Sequence, residues 1–240
     1  MKRLMPLLVL IATVTFGVSP LFVTRFAGFD PGLFPVPQQD PPVQPAGYAF
    51  SIWGLIYVWL FAGAGFGLWK RADDAGWQRM RPALFVSLAL GTFWLSVAQR
   101  SAIGATVLIW AMLAAALVAL WRTSPADRWL QQAPVAVYAG WLTAASSVSI
   151  GLLLAGWGWT GATTAALIAL LVALALALSV QARLPRAPEY GLTVIWALVA
   201  VVVQNASPLN APVAGLAGLG VVLIGALALW RLLWRRVRTA

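Results

Sequence analysis

Tryptophan carries most of the recognition chemistry this sequence can offer. There are 14 in 240 residues, alongside 10 Phe and 4 Tyr, with no cysteine and no histidine. The missing residues close most catalytic routes, because no thiol nucleophile, imidazole base, disulfide framework or Cys/His metal site can be built. An indole instead offers a flat apolar face and one N–H donor, which suits it to hold a flat, apolar molecule or to pack a helix. Trp53 and Tyr57 are spaced i and i+4, so on a helix they share one face, four residues turning it through about 400°. Tyr48 and Phe50 stand just ahead of them in PPVQPAGYAFSIWGLIYVWLFAGAGFGLWK, Pro41 to Lys70. A single ring on such a face is more often packing than site, so the weight lies in how many deep rings come together.

The elements that must position these rings are membrane helices. The chain is 62% apolar and 9% charged, with mean hydropathy +0.87, whereas a soluble domain is about half apolar and a quarter charged. The expected fold class is an all-α integral membrane protein with about eight transmembrane helices, at 4–24, 48–69, 82–98, 102–121, 134–157, 162–182, 190–207 and 212–233. Each approaches the roughly 20 residues that cross a bilayer. The third is short, and only a few residues join it to the fourth, which implies a tight helical hairpin. Alternating strand patterns are absent, which excludes a porin-type barrel.

Sixteen basic residues against six acidic ones give a formal charge of +10. On the eight-span arrangement, Lys2, Arg3, Lys70, Arg71, Arg79, Arg81, Arg122, Arg128, Arg183, Arg186, Arg231, Arg235, Arg236 and Arg238 share one side, leaving Arg25 and Arg100 on the other. That bias places both termini in the cytoplasm and the proline-rich loop from Arg25 to Gly47 outside, in an inner (cytoplasmic) membrane. The basic residues flank helix ends, where lipid headgroups are their partners; a nucleic-acid surface would cluster them on one domain. The opening MKRLMPLLVLIATVTFGVSP could be a signal peptide, but its long apolar run and the lack of an Ala-x-Ala site favour a retained helix.

No Asp, Glu, Lys or Arg falls within the expected spans apart from end residues such as Arg231, which can snorkel. An ion-coupled carrier usually needs such a group at depth. The polar residues there are Ser51, Thr92, Ser96, Thr143, Ser146, Ser147, Ser149, Gln181, Gln204 and Asn205, mostly suited to helix packing. Trp69, Trp77, Trp121, Trp129, Trp157, Trp159, Trp230 and Trp234 lie near span ends and suit the headgroup boundary. Trp53, Trp59, Trp94, Trp110, Trp141 and Trp196 fall deeper, where an N–H needs a partner. Gly63-x-x-x-Gly67 and Ala214-x-x-x-Gly218 permit close helix approach, whether within the chain or in a homodimer.

The second span, from its Pro-Pro loop through Trp53 and Tyr57 to Trp69-Lys70, resembles that of the tryptophan-rich sensory proteins, the TspO/translocator-protein family. TFWLSV places Trp94 and Ser96 like the family's Trp-Ser pair, and Pro134, Tyr138, Trp141 and Ala145 resemble its Pro-Tyr-x-x-Trp-x-x-x-Ala helix. The resemblance covers residues 1–157 as a five-helix core, with 158–240 adding three helices and a basic tail, as in the longer bacterial members. Gly91 and Ser149 stand where the family usually has Asn, and Tyr48 is the nearest aromatic to the missing first-loop Trp. The resemblance implies a binding or sensory protein, not an enzyme, for a hydrophobic planar small molecule such as a tetrapyrrole (porphyrin), with no required cofactor or metal. The cavity-lining residues it implies are Tyr48, Phe50, Trp53, Tyr57, Trp94, Trp141 and Ala145, with Trp53 and Trp141 matching the indoles connected with porphyrin contact. An ion-independent transporter of a lipophilic solute and a structural assembly factor are the competing readings.

Overall fold

A chain this apolar cannot leave backbone N–H and C=O groups facing lipid, so it satisfies them within helices. The computed structural model describes residues 3–23 and 28–239, and side chains as far as Trp230. Lys2, Arg25 and the side chains of Arg231 to Arg238, all part of the charge argument, lie outside the described residues. Eight helices of 15 residues or more run through the described residues: α1 (Leu4–Val18), α2 (Ile52–Lys70), α3 (Ala75–Ala98), α4 (Ala102–Trp121), α5 (Ala133–Gly156), α6 (Ala162–Arg183), α7 (Pro188–Gln204) and α8 (Ala211–Thr239). Seven elements are long and apolar enough to cross a membrane, while α7 is shorter at 17 residues. The protein is a multi-pass, all-α membrane protein.

Helix starts follow local chemistry. Asp74 caps α3 by accepting from the Trp77 N–H at 2.9 Å, and Ser101 caps α4 by accepting from Gly104 at 3.0 Å, each satisfying an orphan first-turn donor. Pro188 opens α7, where its missing N–H costs nothing, and Glu189 beside it complements the positive helix end. A 3-10 turn, Gly47–Ser51, leads into α2, and a π turn, Arg128–Gln132, leads into α5.

The expected third span, opening at 82, misses two turns of α3, which begins at Ala75. Its charged first turns read as loop by hydropathy, yet Arg81 is fully buried. The Arg81 guanidinium donates to the carbonyls of Gly67, Arg71 and Ala72 at 2.8–3.0 Å, occupying the unpaired end of α2. Trp77 is likewise buried rather than at the headgroup boundary, its indole N–H donating to Asp127 Oδ2 at 2.8 Å.

Packing closes α1, α2, α5, α4 and α3, in that spatial order, into a ring, sets α6 and α7 against the opposite side of α5, and lays α8 against α6 and α7. Helix α5 thus belongs to both groups. Its span is 72% buried, against 44% or less for the other six long apolar spans. Only small residues allow neighbours on all sides: a Cβ at Gly140 would sit 2.5 Å from the Tyr190 carbonyl oxygen of α7, and one at Gly151 2.9–3.0 Å from Val43 and Ala169. Hydroxyls tie the walls together, Tyr138 to Ser87 and Tyr190 to Thr143, both at 2.9 Å. The proline-rich loop is stapled across one end. Val36 N–H donates to Gly156 O, Ala46 N–H to Ala200 O, and Asn205 Nδ2 to Pro42 O, at 2.8–3.1 Å.

Candidate functional site

Two adjoining cavities lie beneath that loop. The wider, with an empty volume of about 840 Å³, sits inside the ring and takes a wall from every member: Phe16 of α1, Trp53 and Tyr57 of α2, Trp94 of α3, Met112 of α4 and Leu142 of α5. The narrower, about 780 Å³, follows α5 past Trp141, Ala144, Ala145 and Leu152 toward α6 and α7, under Val43, Gln44 and Pro45. Phe50, Trp94 and Ile109 line both. Both volumes include open space at the cavity mouths.

Of the residues the sequence singled out, Phe50, Trp53, Tyr57 and Trp94 line the wider cavity, and Phe50, Trp94, Trp141 and Ala145 the narrower. Tyr48 is in neither lining. It is 44% exposed and meets Trp196 edge-on at 5.4 Å. At the junction the rings interlock: Trp53 stacks on Tyr57 at 5.3 Å, Trp141 stands edge-on to Trp53 at 6.2 Å and to Phe50 at 5.8 Å, and Phe16 abuts Trp53 at 5.7 Å.

The indole N–H groups separate packing from site. Trp59 donates to Trp129 O at 2.6 Å, Trp94 to Ala105 O at 3.0 Å, Trp110 to Ser146 O at 3.1 Å and Trp196 to Ala49 O at 3.1 Å. Each pins its helix to another segment. Among the described residues Trp53 and Trp141 have no acceptor, although Trp141 is only 2% exposed. Neither indole nitrogen is a fully buried unpaired atom, a condition that Gln131 Nε2, Thr160 Oγ1 and Glu189 Oε2 meet among the described residues, so both donors stay open, and a ligand acceptor would gain the roughly 1 kcal/mol of an ordinary hydrogen bond. Among the described residues no Asp, Glu, Lys or Arg lines either cavity, and the hydroxyls of Ser147 and Ser149 are turned back onto α5's own carbonyls at 2.9 and 2.7 Å. The site can sequester, orient and donate hydrogen bonds; it holds no acid–base pair.

Ionic chemistry sits at the opposite end of the helices. Arg71 pairs with Asp127 at 2.8 Å and Arg128 with Glu189 at 2.6 Å. The Arg71 guanidinium, by its hydrogen bonds, holds the Asp127 carboxyl below the usual carboxylate range, and the Trp77 N–H adds to the effect. Arg186 donates to Thr123 Oγ1, Gln132 Oε1 and the Leu120 and Trp121 carbonyls, and burial lowers its pKa. Sequence reasoning missed this layer because its partners lie 56 and 61 residues apart. Glu189 directly after Pro188 was the one local signal.

With the geometry in place, the chain matches the family model described as TSPO-like protein over residues 36–230. It belongs to the TSPO-like family. The match runs from the proline-rich loop into α8, taking in α6 and α7 as well as α2 to α5 of the ring, and leaves out α1. No curated protein and no solved structure matches the chain. In this TSPO-like protein, Gly91 stands where the family usually has Asn, and the Phe16 ring lies 2.7 Å from the place a Cβ would take. The room an Asn side chain would need is filled by an aromatic wall.

Proposed function

We propose that this TSPO-like protein binds a hydrophobic, planar molecule of the tetrapyrrole class in the paired cavities, as a binding or sensory protein rather than an enzyme. The observation that carries the reading is the indole accounting: four deep tryptophans spend their N–H on the backbone, and the two at the junction of the cavities, Trp53 and Trp141, do not. Phe50, Tyr57 and Trp94 supply flat or edge-on contacts, and Ala145 leaves room beside them. Carboxylate or ring substituents of the ligand accept from the free indoles. The charge bias of the loops supports an inner-membrane orientation with both termini cytoplasmic, which puts the stapled loop and the cavities on the outer side.

Titrating purified protein with a porphyrin, read by absorbance and tryptophan quenching, tests the reading. Saturable quenching that Trp53→Ala weakens supports it. Quenching that is linear, or that survives both Trp53→Ala and Trp141→Ala, would overturn it in favour of a helix-packing role for the indoles.

A further inference from the structure

We infer that the narrower cavity holds a hydrocarbon tail carried by the planar ligand, so that the ligand class is a tetrapyrrole esterified with a long isoprenoid alcohol; this rests on the planar-ligand reading. The two cavities differ in kind. The wider is walled by large rings, among them Phe16, Trp53, Tyr57 and Trp94. The narrower is lined mainly by aliphatic side chains, among them Ala145 and Leu152 of α5, Ala169 and Ala173 of α6 and Ala197 of α7, with Phe29, Phe50, Trp94 and Trp141 as its aromatic members.

Its shape follows from how α5 is held. Gly140 brings α5 against α7 and Gly151 brings it against α6 and Val43. The cavity lining follows α5 from Trp141 to Leu152, eleven residues or about 16 Å at the helical rise. The serine hydroxyls in this stretch are satisfied by their own helix, so water finds few partners there and an apolar occupant is favoured. Phe50, Trp94 and Ile109, shared by both cavities, let a ring in the wider one continue as a chain into the narrower. Trp141 lines the narrower cavity and stands edge-on to Trp53 and Phe50 of the wider, so its unpaired N–H is the donor this inference assigns to an ester carbonyl between ring and chain.

The test compares a metal-free chlorin as its phytyl ester with the same chlorin as its methyl ester, using full-length protein in phosphatidylcholine nanodiscs and tryptophan quenching. A tail already dissolved in lipid gains only packing on entering the cavity, so the decisive reading is the effect of filling it. Ala169→Leu with Ala197→Leu should weaken the phytyl ester at least about tenfold, the scale of overpacking, while the methyl ester stays within about twofold. Retained methyl-ester binding also reports a folded protein, and Ala173→Val gives the same comparison should the double variant not accumulate. If both esters bind the filled variants as well as the wild type, the cavity takes a bilayer acyl chain or nothing, and the inference falls. Equal loss of both esters would also overturn it, by showing the two cavities to be one site. If the wild type binds neither ester, the planar-ligand reading fails and takes the inference with it.

Discussion

At the scale of the residue, two tryptophans of the same type and depth have opposite duties, and substitution to Phe separates them. Trp141→Phe keeps the ring and removes an N–H that the protein does not use, so stability should hold within about 0.5 kcal/mol, while an acceptor-bearing ligand binds about tenfold more weakly. Trp110→Phe strips a donor from the Ser146 carbonyl, and should lower stability by about 1 kcal/mol with little effect on binding. Thermal unfolding and ligand titration on both variants check this, and the reverse pattern would show the indole accounting to be wrong. Trp53→Ala should cost about 1–3 kcal/mol of binding, a lost aromatic contact plus its buried area. Tyr48→Phe should cost nothing measurable, since its ring faces Trp196. The i, i+4 spacing of Trp53 and Tyr57 was legible in the sequence because it is local. The isolation of Tyr48 was not, since it depends on where α7 brings Trp196, almost 150 residues on.

At the scale of the element, apolar runs located every helix, and the errors fell at their ends. The start of α3 was misjudged because a buried Arg81 and a loop arginine look alike in composition; only the open carbonyls at the end of α2 distinguish them. Arg81→Ala should therefore destabilise the protein by roughly 2–4 kcal/mol, leaving several buried carbonyls unpaired, with Arg81→Lys recovering part of that. The Arg71–Asp127 pair predicts a pH response of definite sign. Its carboxyl titrates lower in the folded protein than in the unfolded chain, so its contribution is complete above the ordinary carboxylate pKa of about 3.9 and disappears as pH falls through the depressed folded value. Unfolding temperature should accordingly be insensitive to this pair from pH 5 to 8 and drop only in stronger acid; Asp127→Asn should flatten that acid limb. A loss of the pair's effect on raising the pH from 6 to 8 would contradict the assignment.

At the scale of the whole molecule, the lack of ionisable side chains among the described residues lining the two cavities sets expectations for energetics. Ligand binding should vary little between pH 6 and 8 and should not respond to an imposed proton gradient, because no imidazole or buried carboxylate is there to couple it. Gradient-driven accumulation of a solute in proteoliposomes would instead favour transport. Topology is directly testable because the chain has no native cysteine. A membrane-impermeant thiol reagent should label Gln39→Cys in the stapled loop of intact cells, and Asp73→Cys between α2 and α3 only after permeabilisation. The sorting of charges by loop is the sequence signal for this orientation, whereas the sharing of α5 between two helix groups left no periodic mark, since a helix packed on every side has no polar face to set against an apolar one.

That sharing constrains the order of biogenesis. Helix α5 leaves the ribosome before α6 and α7 exist, with Gly140 and the Thr143 hydroxyl still without Tyr190 and Arg128 without Glu189. The ring of the first five helices therefore cannot reach its final packing while it is being made, and must hold α5 loosely in the translocon or lipid until the seventh helix is inserted. A chain terminated after Thr160 should insert its helices yet remain protease-sensitive along α5, and co-expression of residues 161–240 as a separate piece should restore protection.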